Sequence, residues 1–278
     1  MEGYEIIDGI KCYAPAFAFQ NNDFPPESFE KLYAAENSNF WFVSRNKVIK
    51  SLVKKYFPES KSQKNKLLEI GCGTGFVLKG LSENKSLELS GAEIYLQGLK
   101  YARKRLPEVE FIQLDATNLP FNDFYDAVAA FDVLEHIEED ELVMKNVHQA
   151  LKQGGYFFIS VPQYMWMWSK TDDYACHKRR YTRKEMKSKL EANGFHIEYM
   201  SSFVFTLFPL MALSRFFSKR KSKKENIPDS DYSNAPELSL NPVVNSIFNF
   251  FMKFDEVLIK LGVSLPFGGS LFAIAKKQ

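Results

Sequence analysis

The chain has 278 residues, 45% of them apolar, 25% charged and 15% aromatic, enough to bury a sizeable core and unlike a disordered or fibrous chain. Lysine and arginine number 36 against 34 acidic residues, a net charge of +2 that offers no field for a polyanionic partner. The three cysteines, Cys12, Cys72 and Cys176, show no CxxC spacing and no even set, which points to a reduced, cytoplasmic setting rather than a disulfide scaffold. The opening MEGYEIIDG is acidic where a secretion signal is basic.

Residues 1–64 read as a helical lead. Within it Val48, Ile49, Leu52, Val53 and Tyr56 share one face of a helix predicted over 44–57, which Pro58 ends. Apolar runs then alternate with amphipathic stretches, the pattern of a parallel sheet with crossover helices. Strands are predicted at 66–70, 87–92, 109–114, 125–131 and 156–161, and helices at 96–106 and 140–151. Thr182, with Glu185 three residues on, has the capping-box spacing of a further helix that Gly194 ends. A sixth strand follows at 195–200 and a seventh at 270–275.

Between those two strands, residues 203–217 are apolar on all sides. The uncharged stretch 199–214 has 16 residues with Pro209 inside it, short of the roughly 20 that span a bilayer. Asn241 and Pro242 then suit the cap and first turn of a second helix. There Val244, Ile247, Phe248, Phe251, Phe254, Val257, Leu258 and Leu261 fall on one apolar face, with Asn249, Lys253, Asp255, Glu256 and Lys260 on the other. The domain reading is a lead at 1–64 and an α/β domain at 65–278, with 203–268 as a helical lid insertion. That insertion holds ten of the 26 phenylalanines, so it is expected to supply an aromatic lid, a membrane-facing surface, or both.

Leu67 to Gly75 reads LLEIGCGTG where a strand meets a helix. Glycines at alternate positions let the backbone approach a ligand closely. The third glycine falls one residue early for a GxGxxG dinucleotide turn, because position 76 is Phe76, and no Gly-Lys-Ser/Thr follows for a Walker loop. Glu69-x-Gly71-x-Gly73-x-Gly75 instead resembles the first motif of class I S-adenosylmethionine-dependent methyltransferases. The resemblance covers about residues 36–202 and the last strand. It implies a Rossmann-like, doubly wound, seven-stranded sheet, mostly parallel with an antiparallel last strand.

The same resemblance implies S-adenosyl-L-methionine as cofactor and assigns residues to it. Glu69, Gly71, Cys72, Gly73 and Gly75 form the loop. Glu93, with Ile94 beside it, offers two acceptor oxygens to the ribose hydroxyls. Asp115 and Ala116 stand at the adenine, and Phe131 and Asp132 under the methionine part. Within the class the chain looks most like the small-molecule branch that includes the ubiquinone-biosynthesis, type 11, enzymes. In that branch an arginine upstream of the first strand pairs with the cofactor's carboxylate, and Arg45 is the match, a guanidinium being able to fork onto a carboxylate.

Methyl transfer from a sulfonium is an in-line displacement, so the protein must hold the acceptor against the methyl and, for a hydroxyl, remove a proton. His136, after the fourth strand, is the first base candidate and His177, after the fifth, the second. Glu135 beside His136 does not by itself make a metal site, so no metal is expected. Trp41, Tyr164, Trp166 and Trp168 are expected on the acceptor side, the last three because ligands bind beyond the carboxyl ends of such strands. They point to a small aromatic or hydrophobic acceptor methylated on O, N or C. One alternative is a membrane-associated lipid or lipid-linked glycan, with peripheral contact through 203–224, where apolar helix runs into the basic cluster 219–224. Another is a non-catalytic partner-binding protein on the same fold. Nucleic acid is not expected, since no Asn/Asp-Pro-Pro-aromatic run follows the fourth strand and no cysteine follows a proline.

Overall fold

The computed structural model describes residues 3–19, 25, 28–60, 64–222 and 240–278, with side chains as far as Phe216 in the helix that ends at Ser222. Among the described residues nine strands make one sheet: β1 (Glu5–Ile7), β2 (Ile10–Cys12), β3 (Asn65–Ile70), β4 (Leu87–Glu93), β5 (Glu110–Gln113), β6 (Tyr125–Phe131), β7 (Leu151–Pro162), β8 (Phe195–Phe203) and β9 (Ser270–Lys277). Their spatial order is β1-β2-β5-β4-β3-β6-β7-β9-β8. The strands β3 to β7 pair in parallel, and β9 slots antiparallel between β7 and β8.

The sheet therefore has nine strands where the sequence suggests seven. The two extra strands are a hairpin in the N-terminal lead, turned by Asp8 and Gly9 with φ of 53° and 73°, the backbone that a two-residue hairpin loop favours. Strands of three residues are too short to display an alternation. What gives β2 its place is parallel pairing to β5, with Lys11 opposite Ile112 and Cys12 opposite Gln113.

The helices are α1 (Ser28–Ala35), α2 (Phe40–Tyr56), α3 (Phe76–Leu81), α4 (Leu96–Arg105), α5 (Asp140–Ala150), α6 (Lys170–Tyr174), α7 (Arg183–Ala192), α8 (Phe208–Ser222) and α9 (Pro242–Lys260). They cover both faces of the sheet. Successive strand residues point to opposite faces, so Leu67 joins the layer of Ile49 and Leu52 from α2, while Leu68 joins the layer of Val143 and Val147 from α5. The chain leaves β3 for β4 and β5 on one side, then returns to β6 and β7 on the other. Strand order thus reverses at β3/β6, and the crevice beyond the carboxyl ends of those strands is where open α/β sheets take ligands.

Helix α2 begins earlier than its apolar stripe predicts. Asn39 caps it by accepting from Trp41 N at 3.0 Å. Asn245 of α9 accepts from Phe40 N at 2.8 Å, and the Phe40 and Phe248 rings meet edge-on at 5.2 Å.

Helix α9 forms where its cap predicts, Asn241 accepting from Val243 N at 2.9 Å, but its faces are rotated from the expected assignment. Met252, Asp255 and Ile259 are buried, while Ile247, Phe250, Phe251, Phe254, Val257 and Leu261 are exposed. Polar anchors explain the rotation. Asp255 accepts from Phe205 N at 2.6 Å, from Thr206 N at 3.2 Å and from Thr206 Oγ1 at 2.8 Å. Burial raises its carboxyl pKa, and these donors oppose the rise. Asn245 also donates to Ser38 O at 2.9 Å, and Glu256 lies 3.6 Å from Lys47. A buried polar group with its partners in place costs little, whereas the donors it serves would be expensive to leave unmade. Helix α8 likewise exposes Leu210, Leu213 and Phe216. The side chains of the basic cluster 219–224 lie outside the described residues, as does most of the polar loop 227–242. Among the described residues no helix is long and apolar enough to cross a membrane.

Candidate active site

Between β3 and α3 the chain is turned by Gly71, Gly73 and Gly75, with φ of 65°, 51° and 73°, a left-handed backbone that disfavours any Cβ. A Cβ on Gly71 would stand 2.4 Å from Val133 Cγ2 and one on Gly75 3.2 Å from Ala102 Cβ, but at Gly73 the nearest atom is on Phe29, 3.8 Å away. Gly73 is thus the member whose missing side chain leaves approachable backbone. Cys72 N donates to Ala92 O at 2.9 Å and ties the loop to β4. Burial pushes the Cys72 thiol up, and the charges of Glu69 and Glu93 add to this, so the sulfur stays an inert thiol.

Two carboxylates flank the loop. At the end of β4, Glu93 accepts from Gly73 N at 3.0 Å and from Ile94 N at 2.8 Å, and burial raises its pKa against the pull of those bonds. Glu69 is buried in β3, and its Oε2 has no hydrogen-bond partner among the described residues. Burial pushes this carboxyl up to about 8, with Arg45 opposing. Asp115 caps the short turn after β5, accepting from Thr117 N at 2.8 Å, and it lines the cleft together with Ala116.

Arg45 is buried at the cleft floor. Its Nη2 lies 2.8 Å from Asp132 Oδ2 and donates to Phe131 O at 3.1 Å, and the guanidinium sits 4.8 Å over the Trp41 ring. Arg45, Trp41, Phe131 and Asp132 are therefore one group. A second group went unnoticed in the sequence: Thr74 Oγ1 donates to Glu36 Oε2 at 2.6 Å, and Arg105 Nη1 reaches Glu36 Oε2 at 2.9 Å and Thr74 O at 3.0 Å. It clamps the glycine loop to the N-terminal lead. Burial raises the Glu36 pKa, opposed by Thr74 and Arg105. Thr74 inside the glycine motif is the one local hint of it.

These groups open on a cleft of about 1190 Å³, whose lining also includes Val204, Met211, Arg215 and Phe248 from the 203–268 insertion. On the same lining His136 and His177 come together, their rings edge-on at 4.7 Å, with His177 Nε2 4.0 Å from Glu135 Oε1. Glu135 is wholly buried, and burial followed by the Asp132 charge drives its pKa well above the usual carboxylate range. His177 Nδ1 meets Asp172 Oδ1 at 2.9 Å, and Arg180 forks onto the same carboxylate through Nε at 2.7 Å and Nη2 at 2.9 Å. Burial opposes ionisation of Asp172, but His177 and Arg180 prevail and hold its pKa well below the usual range.

Three aromatic candidates lie elsewhere. Tyr164, Trp166 and Trp168 do not line the cleft. Tyr164 takes a φ of 64°, which turns the chain away after β7, and it stacks on Trp166 at 5.9 Å with both rings against Phe208. Trp168 Nε1 donates to Asp173 Oδ1 at 2.8 Å. Residues of α6 and the segment after it, Thr171, Asp172, Tyr174, His177 and Arg180, take the place those rings were expected to fill.

Residues 68–159 match the type 11 family described as "Methyltransferase domain". A demethylmenaquinone methyltransferase of Chlorobaculum tepidum is 28% identical over 152 residues, covering 54% of this chain and 56% of that protein; the chain thus spans little more than half the length of this curated relative. Among solved structures, the methyltransferase in complex with the Trm112 activator of Haloferax volcanii superposes with a TM-score of 0.56 at 14% identity, over 89% of this chain and 96% of that one. Phosphoethanolamine N-methyltransferase 2 of Haemonchus contortus, in complex with S-adenosylhomocysteine, gives 0.51 at 17% identity, over 81% and 51%. At such identities the likeness shows the Rossmann-like methyltransferase fold.

Proposed function

Because residues 68–159 are a class I S-adenosylmethionine-dependent methyltransferase domain of the type 11 group, we propose that the chain transfers the cofactor's methyl group to an oxygen, nitrogen or carbon atom of a small hydrophobic or aromatic acceptor. The observation that carries this is the glycine cradle at the β3/β6 switch point, flanked by Glu69 and Glu93 and opening on a cleft with apolar walls.

The residues present fit the cofactor. Gly73 leaves backbone open to approach. The unpartnered Oε2 of buried Glu69 suits an ammonium group. Arg45, whose Nε has no partner among the described residues, suits a carboxylate, and Glu93 at the strand end suits a pair of hydroxyls. The bound cofactor supplies an electrophilic methyl on a sulfonium. What the protein adds is alignment of the acceptor for in-line attack and exclusion of water. Val204, Met211 and Phe248 would pack the acceptor, with the insertion 203–268 acting as the lid of the 65–278 domain. His136 and His177 are the groups at the acceptor end able to take a proton or a cation. The likeness to a demethylmenaquinone methyltransferase supports a ring-bearing, hydrophobic acceptor.

The outer face of α9, where Phe250 is 69% and Leu261 75% exposed, favours a second reading of where such an acceptor is met: at a membrane surface, in the manner of an interfacial amphipathic helix. The test uses purified chain, methyl-labelled cofactor, and separate small-molecule and lipid extracts. Label in a low-mass organic-soluble product supports the proposal. Label confined to protein or nucleic acid, or no thermal shift with S-adenosylhomocysteine, overturns it. Co-sedimentation with anionic vesicles, lost in Phe250→Asp, supports the membrane reading, and equal sedimentation of the two proteins removes it.

A further inference from the structure

We propose that Glu135, His136 and His177 bind a divalent transition-metal cation at the acceptor end of the cleft. Glu135 and His136 follow β6 and His177 follows α6, yet one ligand-type atom from each lies within 4.8 Å of the others. Two further observations say that this convergence is built for a ligand. Glu135 is wholly buried, and neither carboxylate oxygen has a hydrogen-bond partner among the described residues, a costly state for a group of that chemistry unless something else engages it.

His177 is also held as metal-binding imidazoles are held. Asp172 is an acceptor already engaged by Arg180, so His177 Nδ1 must donate to it across 2.9 Å, and a carboxylate behind the imidazole is the usual second layer of a metal site. In the neutral ring the unprotonated Nε2 then turns its lone pair toward Glu135 Oε1, 4.0 Å away. A cation sits about 2 Å from nitrogen and oxygen ligands, so a gap of that size accepts one between them with little movement.

The surrounding charges leave the place to a cation. Arg45 Nη2 pairs with Asp132 at 2.8 Å and Arg180 Nε with Asp172 at 2.7 Å. One carboxylate with two imidazoles suits zinc, manganese, iron(II) or cobalt rather than calcium or magnesium, which prefer oxygen throughout. Three protein ligands leave coordination positions open, and because all three residues line the cleft, an oxygen atom of the acceptor would fill one. That use of the cation rests on the methyl-transfer reading, while its binding does not.

The test is titration of untagged, chelator-treated full-length chain with Co²⁺. The proposal expects a visible d–d absorption that saturates at one cobalt per chain and is bleached by Zn²⁺. It expects Co²⁺ affinity at least tenfold lower in Glu135→Gln and in His177→Ala, with the thermal shift by S-adenosylhomocysteine retained in both. No cobalt band from a chain that still responds to S-adenosylhomocysteine would overturn the metal site and leave the methyltransferase reading standing, as would variants that bind cobalt like the parent. A parent chain that binds cobalt but ignores S-adenosylhomocysteine would uphold the site and overturn the methyl-transfer reading.

Discussion

Two buried carboxylates in different halves of the molecule are treated in opposite ways. Asp255, in the insertion, receives three hydrogen bonds from the β8–α8 connection. Glu69, beside the glycine cradle, keeps Oε2 without a partner among the described residues. Burial raises the pKa of both, so the difference lies in what meets them rather than in how deep they sit. A satisfied buried acid is a structural pin, whereas an under-partnered one at a cleft is a place where the fold forgoes stability for a ligand. Glu135 falls on the Glu69 side of this division.

The largest effect expected is at the cradle itself. Gly71→Ala combines a left-handed φ with overlap on Val133, and a cost of about 3–5 kcal/mol is expected from strain plus overpacking, with loss of the thermal shift by S-adenosylhomocysteine. Gly73→Ala, with open space, should cost about 1–2 kcal/mol for the backbone alone. Equal melting temperatures for the two variants would contradict the close approach at Gly71.

On the insertion side, Asp255→Ala leaves Phe205 N and Thr206 N without their acceptor, while Thr206 Oγ1 keeps Phe251 O at 3.2 Å, and should destabilise by about 3 kcal/mol, with ligand binding at the cradle intact. Chemical denaturation and ligand titration of the same variant separate the two outcomes. Loss of ligand binding without loss of stability would move Asp255 to the functional side.

The rotated face of α9 is tested by a pair. Met252→Ala should cost about 2–5 kcal/mol as a cavity and Phe250→Ser less than about 0.5 kcal/mol as a surface change, both read by urea unfolding. The reverse order would restore the face expected from the helical wheel.

The smallest effect, and the sharpest on Glu69, is in pH. Its folded pKa of about 8 lies above the ordinary 4.5, so the native state holds this proton more tightly than the unfolded chain does. The stability this contributes is whole below the ordinary pKa and is lost as pH rises through about 8. Glu69→Gln should therefore flatten the fall of apo-protein melting temperature between pH 5 and about 8, hold or raise stability at the alkaline end, and weaken S-adenosylhomocysteine binding. An unchanged pH profile would show that Glu69 is not the group responsible.

The cradle was legible in the sequence because its causes are local. Three glycines at alternate positions encode three left-handed residues directly, and the strands β3 to β7 announce themselves as apolar runs between turns. Positions that depend on distant partners were not. Tyr164, Trp166 and Trp168 follow β7 closely, but past one residue of positive φ at Tyr164 the first two rings lie against Phe208, Trp168 bonds Asp173, and none of the three lines the cleft. The clamp of Glu36, Thr74 and Arg105 joins three separate segments, each unremarkable by itself.

By itself the sequence determined the α/β class, the seven principal strands, the helix caps at Thr182 and Asn241, and the glycine turn, all of which rest on backbone preferences and on apolar spacing within one element. Only the tertiary structure decided that a short hairpin extends the sheet to nine strands, which face of α9 is buried, and that Glu135, His136 and His177 meet. Those outcomes turn on hydrogen-bond donors and acceptors brought together from remote parts of the chain. A buried donor or acceptor must find its partner wherever the fold puts one, and in α9 that requirement outweighed the apolar stripe.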